Sequence, residues 1–359
     1  MDNNIHSERG SEEEANQVAK KIGITTTVPI EVLMAAGYTP LDLNNIFISS
    51  ADREHLVNIA ERAGFPQNCC TWIKGIYGVC MEHGIETVLC VTSGDCSNTV
   101  MLMEVLKLRG LEVIPFAYPD QPDIGLMQRA LETLAGRLGT TLARAEEVRT
   151  ELDEARRLAL KVDDLTWREG VVSGLENHLS LVTASDFNGD YMEYERRLGE
   201  FLKEAGKREP YPDELLRLAF IGVPPVFPGD LYQYIERNGA RVVFNEVQRQ
   251  FAMPDPRRSL AEQYYSYTYP YSIYGRVDDI VGQLRRRRVD GVIHYVQAFC
   301  HRGIGDIVFR SAIDVPVLTL EGNNDFVLNQ HLRTRVEAFI DMLKRRSAAT
   351  SGASARAGK

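Results

Sequence analysis

Residues 85–100, IETVLCVTSGDCSNTV, constrain the fold of this chain more than any other stretch. Residues 85–91 form a short apolar run bounded by polar residues, which reads as a buried strand. The chain then turns through Thr92, Ser93, Gly94 and Asp95. It enters a helix at about residues 96–98 that carries MLMEVLKLRG to Gly110, and passes at once into a second strand, LEVIPFA. Strand, tight polar loop, helix, strand is a parallel α/β unit. Such units place their loops at the carboxyl ends of the strands, where ligands bind. This loop holds Cys96 among small polar residues. A thiol in that place is either functional or a small buried hydrophobe.

The same grammar extends in both directions. Residues 21–26 read as a strand. Val28, Pro29 and Ile30 open a helix ending near Gly37, with Pro29 suited to its first turn. A strand follows at about 40–43, and LNNIF at 43–47 reads as a loop or short turn. Amphipathic helices cover 51–64 and 71–83, with Cys69 and Cys70 just ahead of the second. Cys80 within that helix and Cys90 within the next strand read as core thiols. AYPDQPD, at 117–123, is a proline-rich break.

From 126 to about 206 the sequence is strongly charged, with apolar residues three and four apart, which predicts helices. The apolar stripe is broken too often for a coiled coil, so a helical lid or insert packed on a sheet is expected. After REPYPDE come strands at about 218–222, 241–244, 291–295 and 315–320, with helices at 228–238, 277–287, 303–311 and 330–345. The expected fold class is α/β, with two Rossmann-like or flavodoxin-like parallel-sheet domains and a helical insert. The expected boundaries are a disordered N-terminus at 1–14, a first α/β domain at 15–125, the insert at 126–208, a second α/β domain at 209–345 and a disordered tail at 346–359.

Composition narrows the function. Of 359 residues, 44% are hydrophobic and 25% charged, as in soluble globular proteins. A net charge of -9 argues against nucleic acid and anionic membrane as partners. No apolar run reaches the ~20 residues that span a bilayer, and the polar, acidic N-terminus has no apolar signal core. A cytoplasmic location is expected. None of the six cysteines forms a C-x-x-C pair, so a zinc knuckle and a simple ferredoxin pattern are absent. A disulfide framework is a poor fit to a chain of this length. No G-x-G-x-x-G or G-x-x-x-x-G-K-[ST] motif is present, so neither a dinucleotide nor ATP is expected to bind in the standard way.

Three cysteines stand where chemistry happens. Cys96 and Cys300, the latter in HYVQAFCHR, follow strands, and Cys70 precedes a helix whose N-terminus would stabilise a thiolate. Spread over two domains, they could meet in an interdomain cleft. Thiolates select zinc or iron–sulfur clusters, and three thiolates on an iron–sulfur cube leave one iron open. Three unrelated buried thiols fit the spacing as well. Around them, His301 is placed to donate a proton, Gln297 to bond a sulfide or substrate, and His294 reads as structural. Asp95 reads as a helix cap, and Glu321 either faces the cleft or is a surface carboxylate. The tyrosine-rich segment 264–274, YYSYTYPYSIY, would line a pocket, make a subunit contact, or pack as an irregular loop over the second domain.

Several of these blocks resemble the 2-hydroxyacyl-CoA dehydratase and benzoyl-CoA reductase family, which includes the 2-hydroxyglutaryl-CoA dehydratase D-component. IGITTTVPIEVLMAAGYTPLDL is similar to its opening strand, V-P-x-E and A-A-G. CTWIKGIYG is similar to the block where a cluster cysteine precedes a helix with a basic residue, giving Cys70 and Lys74. TSGDCSNTV resembles its N-T-C-D loop, giving Cys96, and VQAFCHR gives Cys300. LEGNNDFVLNQHLRTRVEAFIDML resembles its L-E-G-D ending and R-T-R-x-E-A-F helix. The chain departs from the pattern at Thr25 and Thr26, where many members have a cysteine, and at Ser97 and Asn323.

The resemblance implies an iron–sulfur cluster between the two α/β domains, held by Cys70, Cys96 and Cys300. The cluster would be a [4Fe–4S] cube or, as in one branch, a double-cubane [8Fe–9S] cluster. It implies an ATP-hydrolysing iron–sulfur activator that delivers low-potential electrons, and a homodimer or a related second subunit. It also implies reduction or dehydration of a small substrate, either 2-hydroxyacyl-CoA-like or free of CoA. Ser97, Gln297 and His301 are the candidates for roles beside the cluster. A non-catalytic cluster carrier or scaffold, and a metal-free α/β protein that binds a small ligand, are the alternative readings.

Overall fold

The computed structural model describes residues 20–255, 259–323 and 326–357. The segment 1–14, expected to be disordered, lies outside them. The first parallel sheet is built from β1 (Lys20–Ile24), β2 (Tyr38–Asp42), β3 (Thr87–Ser93) and β4 (Glu112–Ala117), in the order β2-β1-β3-β4. The register sets Ile22 beside Pro40, Gly23 beside Val88 and Cys90 beside Pro115. Between the strands run α1 (Ile30–Ala35), α2 (Leu43–Ser49), α3 (Arg53–Arg62), α4 (Thr71–Glu82) and α5 (Asn98–Leu108). The central strands are buried on both faces over residues 22–24 and 88–91, as covered parallel sheets require, while the edge strand β4 mixes buried and exposed residues. One core joins Leu43, Phe47, Val88, Cys80 and Cys90 beneath α2 to α5, so both these thiols are core residues.

The segment 43–47, expected as a loop, is helical. Asp42 accepts a hydrogen bond from the Asn44 backbone N–H and caps α2, while Leu43 and Phe47, one turn apart, are both buried. Five residues are too few to show a helical period to the eye, which is why the sequence reads as a turn.

Five helices follow: α6 (Ile124–Leu138), α7 (Leu142–Glu151), α8 (Asp153–Asp164), α9 (Gly174–Thr183) and α10 (Tyr191–Ala205), with a π turn at Leu165–Glu169. Their apolar stripes join the core on the other face of the first sheet, with Leu131, Ala159, Val162 and Leu181 fully buried. Asp123 caps α6, and Ser173 and Glu176 form a reciprocal capping box on α9.

The second sheet repeats the first. Its strands are β5 (Leu216–Gly222), β6 (Ala240–Asn245), β7 (Gly291–Gln297) and β8 (Val317–Gly322), in the order β6-β5-β7-β8. They are joined by α11 (Pro228–Arg237), α12 (Glu246–Phe251), α13 (Leu260–Ser266), α14 (Ile273–Arg286) and α15 (Asp306–Ala312). The last described element is α16 (Gln330–Ala357). No described helix is long and apolar enough to cross a membrane.

The tyrosine-rich segment does not pack over the second sheet. Tyr264 and Tyr267 are buried in the core of the first half with Tyr118, and the Tyr264 hydroxyl donates to the Val28 carbonyl at 2.8 Å. The chain therefore leaves the second half after β6, straps the first, and returns.

Candidate functional site

In each sheet the strand order reverses direction between two central neighbours, β1 and β3 in the first and β5 and β7 in the second. Loops leaving such a pair on opposite sides open a crevice at their carboxyl ends. All four loops line one cavity of about 340 Å³: Thr25, Thr26 and Thr27 after β1, Asp95 and Cys96 after β3, Val223 to Pro225 after β5, and Cys300 to Arg302 after β7. The two switch points face each other across it.

Cys70, Cys96 and Cys300 all line this cavity. Cys70 immediately precedes α4 and is buried. Cys300 follows a sharp turn in which Phe299 adopts a left-handed φ of 62°. That conformation is costly for a bulky residue and is kept where the surroundings impose it. Burial pushes the Cys70 thiol up to about 11 and the Cys96 thiol up to about 12, and raises that of Cys300. Negative charge on one sulfur opposes charge on the next: Cys300 raises Cys70, and Asp95, Cys70 and Cys300 raise Cys96. Without a cation among them the three are thiols at neutral pH.

Among the described residues no group of three or more His, Cys, Asp or Glu side chains is arranged to hold a metal ion. Bonds of about 2.3 Å to one ion would draw three sulfurs close together. In an iron–sulfur cluster each thiolate sits on its own iron, so the ligands stand farther apart.

The other sequence-derived candidates divide. Gln297 is buried and lines the cavity. Its Nε2 donates to Thr71 Oγ1 at 3.1 Å and to the Asn323 carbonyl at 2.8 Å, tying β7 to α4. His301 also lines it, and burial, with the neighbouring Arg302 charge, lowers its pKa and keeps the ring neutral. Ser97 is exposed at the start of α5 and is not among the lining residues. Glu321 is exposed on β8 and does not line the cavity either. His294 is buried and hydrogen-bonds Asp306 at 2.8 Å, a structural pair. Lys74 is fully buried and pairs with Glu61 at 2.7 Å, away from the cavity lining.

Asp95 is not a helix cap: α5 starts three residues later and has no side-chain cap. Asp95 instead faces the cavity with Tyr269 and Arg302. Burial raises its carboxyl, while the Arg302 charge and a hydrogen bond from Tyr269 oppose that rise. The Arg302 guanidinium stacks 4.2 Å over the Tyr269 ring and donates to the Gly94 carbonyl at 3.2 Å. This trio joins the two halves at the cysteines. Sequence reasoning missed Tyr269 and Arg302 in this role because their partners lie far away in the chain. It also missed Asp42, Asn45 and His178, which line the cavity from β2, α2 and α9.

A model of the family described as 2-hydroxyglutaryl-CoA dehydratase, D-component, matches residues 25–343, taking in every strand after β1 and all three cysteines. No curated protein matches the chain. The matched span covers nearly the whole molecule, and on that ground the chain belongs to the 2-hydroxyglutaryl-CoA dehydratase D-component family.

Proposed function

We propose that Cys70, Cys96 and Cys300 hold an iron–sulfur cluster on the wall of the cavity. In this reading the chain is served by an ATP-hydrolysing activator and reduces or dehydrates a small substrate lodged beside the cysteines. The observation that carries the reading is the delivery of one cysteine each by three separate loops, from both halves, to a single cavity. The donor set suits iron: three soft sulfur ligands, kept neutral by burial until a cation arrives, are the chemistry that clusters select. When bound, such a cluster supplies one-electron chemistry that no side chain can.

The chain's own residues do the rest. Gln297, clamped by Thr71 and Asn323, fixes the wall between Cys70 and Cys300. The Asp95, Tyr269 and Arg302 trio lines the cavity with Cys96 and Cys300 and joins the two halves there. His301, neutral at physiological pH, stands at the cavity edge, where its N–H can hydrogen-bond a substrate oxygen and its free ring nitrogen can take a proton.

Iron and acid-labile sulfide per chain after anaerobic purification test the reading. The wild type is expected to be coloured and to carry both, and Cys70→Ala, Cys96→Ala and Cys300→Ala each to lose most of them. A colourless wild type, or full cluster content in all three variants, would overturn it.

A further inference from the structure

One stretch of the cavity wall is built by α9, which presents His178, Leu179, Val182 and Thr183 to it. His178 is 3% exposed. Its Nδ1 lies 2.9 Å from Gln248 Nε2 and 3.3 Å from the Tyr232 hydroxyl. The Tyr232 proton goes elsewhere, to Asn245 Oδ1 at 2.5 Å. That oxygen is fixed as an acceptor, because Asn245 Nδ2 donates to the Gly174 carbonyl at 3.2 Å and to Asn177 Oδ1 at 2.7 Å.

The Gln248 amide therefore decides the tautomer. With its nitrogen toward the ring it donates one proton to Nδ1, while its Oε1 is buried without a partner. Turned over, it would bury an amide nitrogen with unmet protons, and orphaned N–H groups are rarer in proteins than orphaned carbonyl oxygens. Nδ1 is then the acceptor and Nε2 carries the hydrogen. Nε2 has no partner among the described residues, on a residue that lines the cavity. Burial lowers the ring's pKa to about 3, so the imidazole stays neutral at any physiological pH.

We infer that His178 is a substrate-binding residue that presents a neutral Nε2–H donor to the acyl carbonyl oxygen of the substrate. One neutral donor offsets little of the cost of burying a carboxylate, whereas an uncharged carbonyl, as in a thioester, loses little on entry. The inference rests on the reading that this cavity takes the substrate, and does not depend on the cluster.

The probe is the N-acetylcysteamine thioester of 2-hydroxybutyrate, titrated calorimetrically into the anaerobically purified protein, with iron counted in the same samples. His178→Phe keeps the ring's bulk without the N–H and is expected to bind about tenfold more weakly, the loss of one hydrogen bond. His178→Gln, which restores an N–H donor, should bind within about threefold of the wild type. Should the phenylalanine variant not fold, Gln248→Leu frees the ring from its fixed tautomer and is expected to weaken binding several-fold. Unchanged binding in His178→Phe or in Gln248→Leu, equal loss in the Phe and Gln variants, or no binding by the wild type overturns the inference. A histidine-dependent affinity in protein without iron would sustain it while refuting the cluster. Full iron with no histidine dependence would do the reverse.

Discussion

Gly94 occupies a position that no other residue fills without strain. Its φ is +95°, and an added Cβ would lie 2.8 Å from Pro270 Cβ and 2.9 Å from Tyr118 Cβ. The turn it makes aims Asp95 and Cys96 under the tyrosine segment. Gly94→Ala is expected to lower stability by ~1–3 kcal/mol and to reduce the iron content. Unchanged thermal denaturation would count against this account of the loop.

The thiols carry a second expectation. Cys70 at about 11 and Cys96 at about 12 are protonated at pH 8 in metal-free protein, and only the thiolate attacks. Their alkylation by iodoacetamide, followed by peptide mass spectrometry, should therefore be slow at pH 8 and rise about tenfold per pH unit up to pH 10. Rapid alkylation at pH 8 would contradict the burial described. At this scale the sequence was informative about where Cys70, Cys96 and Cys300 sit, because each lies next to the end of a strand or helix. It was silent about Arg302, whose partner Gly94 is 208 residues away.

Among the elements, α9 spans the two halves. Asn177 and His178 engage Asn245 and Gln248 of the second half. Beyond its C-terminus, Ser185 donates to Asp42 at 2.7 Å, and the Asp42 N–H donates to Asp186 at 2.6 Å. Removing the cap at its start, Ser173→Ala, should cost ~1 kcal/mol in denaturant unfolding.

The paired carboxyls at its far end make stability depend on pH. Burial, then the nearby Asp42 charge, raises Asp186 to about 7, against about 3.9 in the unfolded chain. Between those values the folded state keeps a proton that the unfolded state has released, so stability falls as pH rises from about 4 to about 7 and then levels. Asp42→Asn removes the repelling charge, and its amide can donate to Ser185. This variant should lose less stability between pH 5 and pH 8 than the wild type, and an identical pH profile would exclude the coupling. The helices of this region were legible from their apolar spacing. The short α2 was not, because its cap and its two buried residues acquire meaning only from the surface they pack on. Nor was the strapping of the first half by Tyr264 and Tyr267, since a tyrosine-rich string has no period that points to its partner.

The whole molecule is two copies of one topology, β2-β1-β3-β4 and β6-β5-β7-β8, turned so that their switch points meet. Each unit could be read from apolar runs broken by polar loops, because strands buried on both faces leave that pattern. Which way the halves face could not, since it is set by contacts such as Gln297 with Thr71 and Arg53 with the Val226 carbonyl, which no local pattern encodes. The claim that this arrangement exists to hold iron is tested most directly by anomalous X-ray scattering at the iron edge, on crystals grown anaerobically. The account predicts anomalous density in the cavity within bonding distance of the Cys70, Cys96 and Cys300 sulfurs. Iron seated on Cys69, Cys80 or Cys90 instead, or no iron in the cavity, would contradict it.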